Sequence, residues 1–269
     1  MRKVGVRKEE GCDKVNFAVM ISRILIVLCV FFALIPAGTF ALAPPPTLGQ
    51  LVGETLEFRI CWGMIPVGKA SLEVVNGGGG TLRFRARAQS LPFIDTVYPV
   101  QDFIESSVLQ PGIRVLRYYK KAKEGWSKPR VDEVLFDHET GTSRLFRNGA
   151  PRERLKVPQG IQDPLSCFFA YRTTAVKGDG QVTLDITDGK KLTTAVVSVL
   201  GREKVETPAG SFQTVLIEPK IEGIGGIFEK SPGARILIWL TDDNWRMPVK
   251  LQSKVIVGHF TAEIVKILR

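Results

Sequence analysis

A chain of 269 residues with 44% hydrophobic and 24% charged side chains carries enough apolar material for a sizeable core, which excludes an intrinsically disordered chain and one dependent on disulfide staples. The formal net charge of +10 sits partly in the first 43 residues, and beyond them 31 basic residues face 24 acidic ones. That surplus favours anionic partners such as phospholipid or lipopolysaccharide head groups or nucleic acid, or it simply keeps the surface soluble.

The first element along the chain is the run Ile24–Ile35, ILIVLCVFFALI. About a dozen apolar residues are short of the ~20 a membrane span needs, and match the apolar region of a secretory signal. Arg23 supplies the positive flank, and Ala41-Leu42-Ala43 the small-x-small pattern read by signal peptidase. Residues 1–43 are therefore expected to be a signal peptide, with Met20 a more typical start than Met1; an uncleaved N-terminal tether is the alternative. Either way the domain is expected to be exported, periplasmic or envelope-associated. Cys12 and Cys29 belong to this segment, and Leu28 in front of Cys29 argues against lipidation there.

Pro44-Pro45-Pro46 predicts an extended spacer over 44–52. From Gly53 onward alternation dominates. In Thr81–Ala88, TLRFRARA, Leu82, Phe84, Ala86 and Ala88 share one face, and Arg83, Arg85 and Arg87 the other, the signature of a half-buried antiparallel strand. Strands are likewise expected at Glu54–Trp62, Val67–Val75, Val131–Phe136, Ser143–Arg147, Gln181–Ile186, Thr194–Leu200, Phe212–Pro219, Arg235–Leu240, Val249–Val257 and Phe260–Leu268. Asn76-Gly77, Asn148-Gly149, Asp188-Gly189, Pro208-Ala209-Gly210 and Gly223–Gly226 read as turns between them. Ile94–Val100 reads as a weaker irregular segment.

One helix interrupts this pattern near 163–176: Asp163 caps it, Pro164 suits its first turn, and Leu165, Phe168, Phe169 and Arg172 follow at helical spacing. The expectation is one all-β, mostly antiparallel domain over 53–269, a strongly curved sheet or barrel-like fold with a single short helix on a sheet face or barrel end.

Several blocks resemble a bacterial exported family catalogued as domain of unknown function 3108: Gly53–Phe58, Trp62–Ala70, Asp163–Ser166 with Phe169 and Arg172, Thr207–Phe212, Trp239–Asp243 and Pro248–Leu251. The resemblance implies an envelope-associated all-β protein, with no established enzyme activity and no accepted set of functional residues.

The residues themselves weigh against catalysis. Two histidines, His138 and His259, and no G-x-S-x-G elbow leave little for a nucleophilic triad. No H-E-x-x-H, His/Cys cluster or C-x-x-C pair suggests a metal or dithiol site, and Asp242-Asp243-Asn244 reads better as a polar turn than as a calcium loop. Glu105, Asp132, Glu133 and Asp137 could pair for glycoside hydrolysis only if the fold brought two of them together in a cleft. No cofactor is expected. Cys61 and Cys167 either pair in an oxidising compartment or stay as buried thiols.

Two binding candidates remain. Trp62, Phe169, Arg172 and Trp239 are the candidate contacts of a hydrophobic or lipid-like ligand. Arg172, behind an apolar run, needs a carboxylate or several carbonyls if buried. Arg83, Arg85, Arg87, Arg117, Lys120 and Lys121 form a candidate basic patch for an anionic membrane surface; outside the cytoplasm nucleic acid is not an expected partner. The leading expectation is a non-catalytic carrier, the alternative an assembly protein that contacts another envelope protein through a sheet edge, and the third an unrecognised hydrolase.

Overall fold

The computed structural model describes residues 44–174, 180–221, 235–254 and 259–269. The signal segment, Cys12, Cys29, the Gly223–Gly226 turn and the end of the strand expected at Val249–Val257 lie outside the described residues. Ala43–Arg269 forms a compact unit of its own, which holds the hydrophobic clusters of the described residues.

The unit is built on one antiparallel sheet. Its strands are β1 (Thr55–Trp62), β2 (Ile65–Gly78), β3 (Thr81–Ser90), β4 (Val100–Leu109), β5 (Arg114–Glu124), β6 (Arg130–Asp137) and β7 (Thr142–Arg147). There follow β8 (Ala150–Lys156), β9 (Val182–Thr187), β10 (Leu192–Thr207), β11 (Gly210–Ile221), β12 (Ile236–Thr241), β13 (Pro248–Lys254) and β14 (His259–Leu268). Their order is β8-β7-β6-β5-β4-β3-β2-β1-β14-β13-β12-β11-β10-β9. Each strand pairs with its neighbours in sequence, and β1 pairs with β14 from Thr55↔Leu268 to Trp62↔Phe260. The interruption falls between β8 and β9, so the sheet is curved and barrel-like without closing.

The segment between those two edges carries the helix. Helix α1 (Pro92–Asp95) is a single turn between β3 and β4, and α2 (Ser166–Thr173) packs on the inner face. The Phe169 ring stacks on Phe84 of β3, centroids 3.9 Å apart. Both are fully buried with Leu51, Val108, Val115, Val134, Leu145 and Ile161; each such side chain contributes roughly 1.5–3 kcal/mol. Residues 44–52, expected as an extended spacer, belong to the fold. A 3-10 turn at Leu48–Leu51 buries Leu48 and Leu51 in the same cluster.

The sheet's two arms also meet across the interior. Gly189, in the β9–β10 turn with φ +86°, lies so close to β6 and β7 that a Cβ there would stand 2.6 Å from Val134 Cγ2 and 3.1 Å from Leu145 Cβ. The free edges are guarded. β8 reads APRERLK and is exposed for most of its length, a charged strand that resists edge-to-edge pairing. On the β9 edge, Gln162 N donates to Asp185 O and Gln162 O accepts from Thr187 N, both at 2.9 Å.

Strands β4, β5 and β8 were not among the expected ones. The reading of β5 was obscured by RVLRYYKKAKE, where Val115, Tyr118 and Ala122 face inward but cationic side chains mask the period. A bulge between Ser107 and Val108 shifts the β4–β5 register, and β8 has no apolar face at all.

Candidate ligand-binding trough

An apolar trough runs along the inner face from one end of the strands toward α2. Its outer chamber, about 530 Å³, is formed by β1, β2, β3, α1, β12, β13 and β14, with Ile60, Trp62, Tyr98, Leu251, Phe260 and Ala262 among its walls. A second chamber of about 250 Å³ lies beneath α2, between Phe168 and Tyr171 and the strand residues Ile186, Val197, Ile217 and Ile238. Ile236 and Leu251 wall both chambers, so the two lie side by side. The outer chamber's volume falls in the range of small-molecule sites, which are apolar with few polar groups.

No charged side chain lines the outer chamber; beside the Tyr98 phenol, Gln89, Ser90, Gln252 and Ser253 are its polar residues. Ser253 Oγ is buried and has no hydrogen-bond partner among the described residues. Buried hydroxyls are ordinarily paired, so Ser253 offers a polar handle to an ester or hydroxyl of a ligand.

Helix α2, which roofs the inner chamber, is fixed at both ends. At its start Asp163 Oδ1 accepts from Leu165 N at 2.8 Å, Ser166 N at 2.9 Å and the Ser106 hydroxyl at 2.6 Å. These satisfy orphan amides of the first turn. Burial pushes the Asp163 carboxyl above its ordinary range against the pull of those donors. At the other end Arg246 Nη1 donates to the Thr174 carbonyl at 2.5 Å and the Tyr171 carbonyl at 3.3 Å.

Arg172 ties the middle of the fold together. Its side chain is fully buried, with Nη1 and Nη2 donating to the two Glu54 carboxylate oxygens at 2.6 and 3.1 Å. Nη2 also donates to Trp245 O at 3.2 Å, and Arg269 Nη2 reaches Glu54 Oε2 at 3.3 Å. One guanidinium thus joins the residue before β1, the helix and the β12–β13 loop. The bidentate fork is the strongest geometry for such a pair, and its lack of contact with either chamber makes it a structural clasp.

The four candidate ligand contacts are therefore not brought together. Trp62 stands at the mouth of the outer chamber, half exposed. Phe169 is buried in the core beside the trough, and Arg172 is in the clasp. Trp239 alternates with Ile236 and Ile238, so it lies on the opposite face; Lys250 Nζ sits 5.4 Å above its ring, and its indole N–H donates to Glu203 Oε1 at 2.5 Å. Tyr98, Leu251, Phe260 and Ala262 were not among the expected site residues, because only the curvature of the sheet gathers them.

The candidate basic patch is an ion-pair lattice on the outer face. Arg87 meets Glu73 at 2.5 Å, Arg85 meets Glu105 at 2.8 Å, and Arg117 bridges Glu133 at 2.5 Å and Glu105 at 3.5 Å. Lys121 is exposed on that face level with Phe103, Arg83 lies farther along β3 opposite Ser107, and Lys120 alternates to the other face opposite Asp132. Cross-strand acids thus neutralise much of the stripe.

Among the described residues the two histidines are not brought together. His138 follows β6 at one end of the strands, with Nε2 2.5 Å from Val115 O, while His259 begins β14 at the other. Asp243 organises a turn, Oδ1 accepting from Thr241 Oγ1, Trp245 N and Arg246 N. No cluster of three metal-ligating side chains occurs among the described residues. Cys61 and Cys167 are both free, and burial pushes the Cys167 thiol well above its ordinary range. No described helix is long and apolar enough to cross a membrane.

Sheet, helix and trough define a barrel-like antiparallel β protein with an apolar interior and no assembled catalytic group among the described residues. Within that class, the chain belongs to the family DUF3108, proteins of unknown function, whose model matches residues 57–265. No curated protein matches the sequence. Among solved structures, a beta-barrel-like protein of domain of unknown function DUF1849 from Brucella abortus is similar at 13% identity and a TM-score of 0.55, over 81% of this chain and 98% of that one. A candidate lipoprotein from Parabacteroides distasonis matches at 11% identity and TM-score 0.30, over 83% and 97% of the two chains. A candidate exported protein with a YmcC-like fold from Bacteroides fragilis matches at 10% and 0.30, over 85% and 99%. The first of these supports the barrel-like fold.

Proposed function

We propose that this chain is an exported, non-catalytic carrier that holds a hydrophobic or lipid-like ligand in the inner-face trough. The observation that carries the reading is a pair of adjoining apolar chambers, about 530 and 250 Å³, that share Ile236 and Leu251, the larger with no charged side chain and with one buried hydroxyl unpaired among the described residues. A protein using its interior only as a core would fill such space, since interiors pack as densely as organic crystals. Export rests on the Ile24–Ile35 run and the Ala41-Leu42-Ala43 pattern. The assembly alternative finds less support, because charge guards the β8 edge and Gln162 bonds to the β9 edge.

Titration of residues 44–269 with a fluorescent long-chain fatty acid tests the proposal. Saturable uptake with emission typical of an apolar site is expected, and Ala262→Trp, which fills the outer chamber, should abolish it while the fold persists by circular dichroism. Uptake unaffected by Ala262→Trp would overturn the assignment of the site.

A further inference from the structure

The trough opens at an end of the molecule whose surface is unlike the rest. The antiparallel register places the β1–β2 turn, the segment joining β3 to β4, the β5–β6 turn and the start of β14 at this one end. Gly125 N donates to Pro99 O at 2.8 Å, and the Tyr98 ring lies against Gly125, so the β5–β6 turn and the α1 segment are contiguous. On these tips stand Trp62, Phe93, Tyr98, Trp126 and Phe260, the five exposed large aromatic side chains among the described residues. Met64 and Val97 join them at 96% and 75% exposure.

Exposed apolar side chains scattered singly need no explanation, whereas a contiguous set around a cavity mouth marks an interaction surface. Three features select the partner. Trp and Tyr are the residues that settle at a membrane interface, where one end of the ring is apolar and the other wet. The side chains project from separate turn tips, a geometry suited to insertion among head groups. The exposed charge in and next to the Trp126 turn is positive, Lys128 and Arg130 (the latter 3.3 Å from Asp132), while the acids Asp95, Asp102 and Glu124 at this end are half-buried.

We infer that this end docks on an anionic lipid bilayer, with the aromatic tips in the interface and the trough mouth facing the lipid. Basic residues at an apolar rim draw a protein to anionic lipid and let go as salt rises. The docking surface is distinct from the outer-face arginine stripe, whose charge is largely paired. It deepens the carrier reading, since a mouth held against lipid lets an acyl chain pass without crossing water, but the surface stands on its own residues.

The test is co-sedimentation of residues 44–269 with vesicles of pure phosphatidylcholine and of phosphatidylcholine with added phosphatidylglycerol, at low and high salt. The expected result is binding that rises with phosphatidylglycerol and falls with salt, with a blue shift of tryptophan emission. The triple variant Met64→Ser/Phe93→Ser/Trp126→Ser should lose at least about tenfold in partitioning. Its melting temperature and fatty-acid uptake in solution should be unchanged, because its three sites are exposed and outside the trough lining. Absence of binding to phosphatidylglycerol vesicles, or equal binding of the triple variant, overturns the inference. So does sedimentation velocity showing instead a dimer that the triple variant abolishes. Vesicle binding without fatty-acid uptake would leave the docking surface standing and remove the carrier reading; uptake without vesicle binding would do the reverse.

Discussion

Replacement of Arg172 by Met should be among the most damaging single changes in the fold. The guanidinium is fully buried, and its bidentate partner Glu54 is 3% exposed, so the change leaves a carboxylate in a nearly dry site. Breaking a buried pair this way costs about 3–5 kcal/mol. Arg269 offsets part of it through the remaining 3.3 Å contact with Glu54 Oε2, which puts the expectation at the lower bound, about 3 kcal/mol. For a domain of this size that is a fall in melting temperature of roughly 6–12 °C. The double variant Glu54→Leu/Arg172→Met removes both charges together and should recover most of the loss, because apolar replacements of a buried pair are often neutral or better. Urea unfolding of both single variants and the double completes the cycle. Additive losses, or an Arg172→Met loss below about 1 kcal/mol, the ordinary value of an exposed pair, would refute the clasp.

Three other expectations follow from the geometry. Asp163→Asn should flatten the pH dependence of stability: burial raises the folded-state pKa above the unfolded value, so the native carboxyl loses stability as pH climbs from the unfolded pKa to the folded one. Urea melts across that window should show the variant gaining on the parent with rising pH, and parallel curves would contradict the burial argument. Gly189→Ala forces a Cβ to 2.6 Å from Val134 Cγ2 at φ +86°, and should cost roughly 2–4 kcal/mol by denaturant melts. In native protein a thiol reagent should label half-buried Cys61 and spare Cys167, whose thiol burial keeps protonated; labelling counted by mass with and without denaturant decides it.

Much of the sheet was legible because alternation is local: Leu82 and Phe84 against Arg83 and Arg85 betray β3 without any tertiary information. The same logic fails where cations mask the period, as in β5, or where an edge strand has no buried face, as in β8. Asp163 and Pro164 announced α2 through capping chemistry, and Arg172 was conspicuous as a charge behind an apolar run. Its partner was not, since Glu54 lies 118 residues earlier and looks like any strand-flanking acid. Trp239 shows a signal present and misread: Ile236, Ile238 and Leu240 share the inner face, which already places Trp239 outside the trough. The trough itself was hidden, because Tyr98, Leu251 and Phe260 come from distant segments that only the curled sheet assembles. The exposed aromatic rim was equally hidden, since each of its side chains alone reads as an ordinary turn residue.

The most direct test of the carrier reading is native mass spectrometry of residues 44–269 purified without detergent from a bacterial periplasm, followed by organic extraction. The account predicts a discrete adduct of lipid mass, absent from Ala262→Trp prepared in parallel. A clean mass for the unliganded chain, with the trough still refusing added fatty acids, would contradict it.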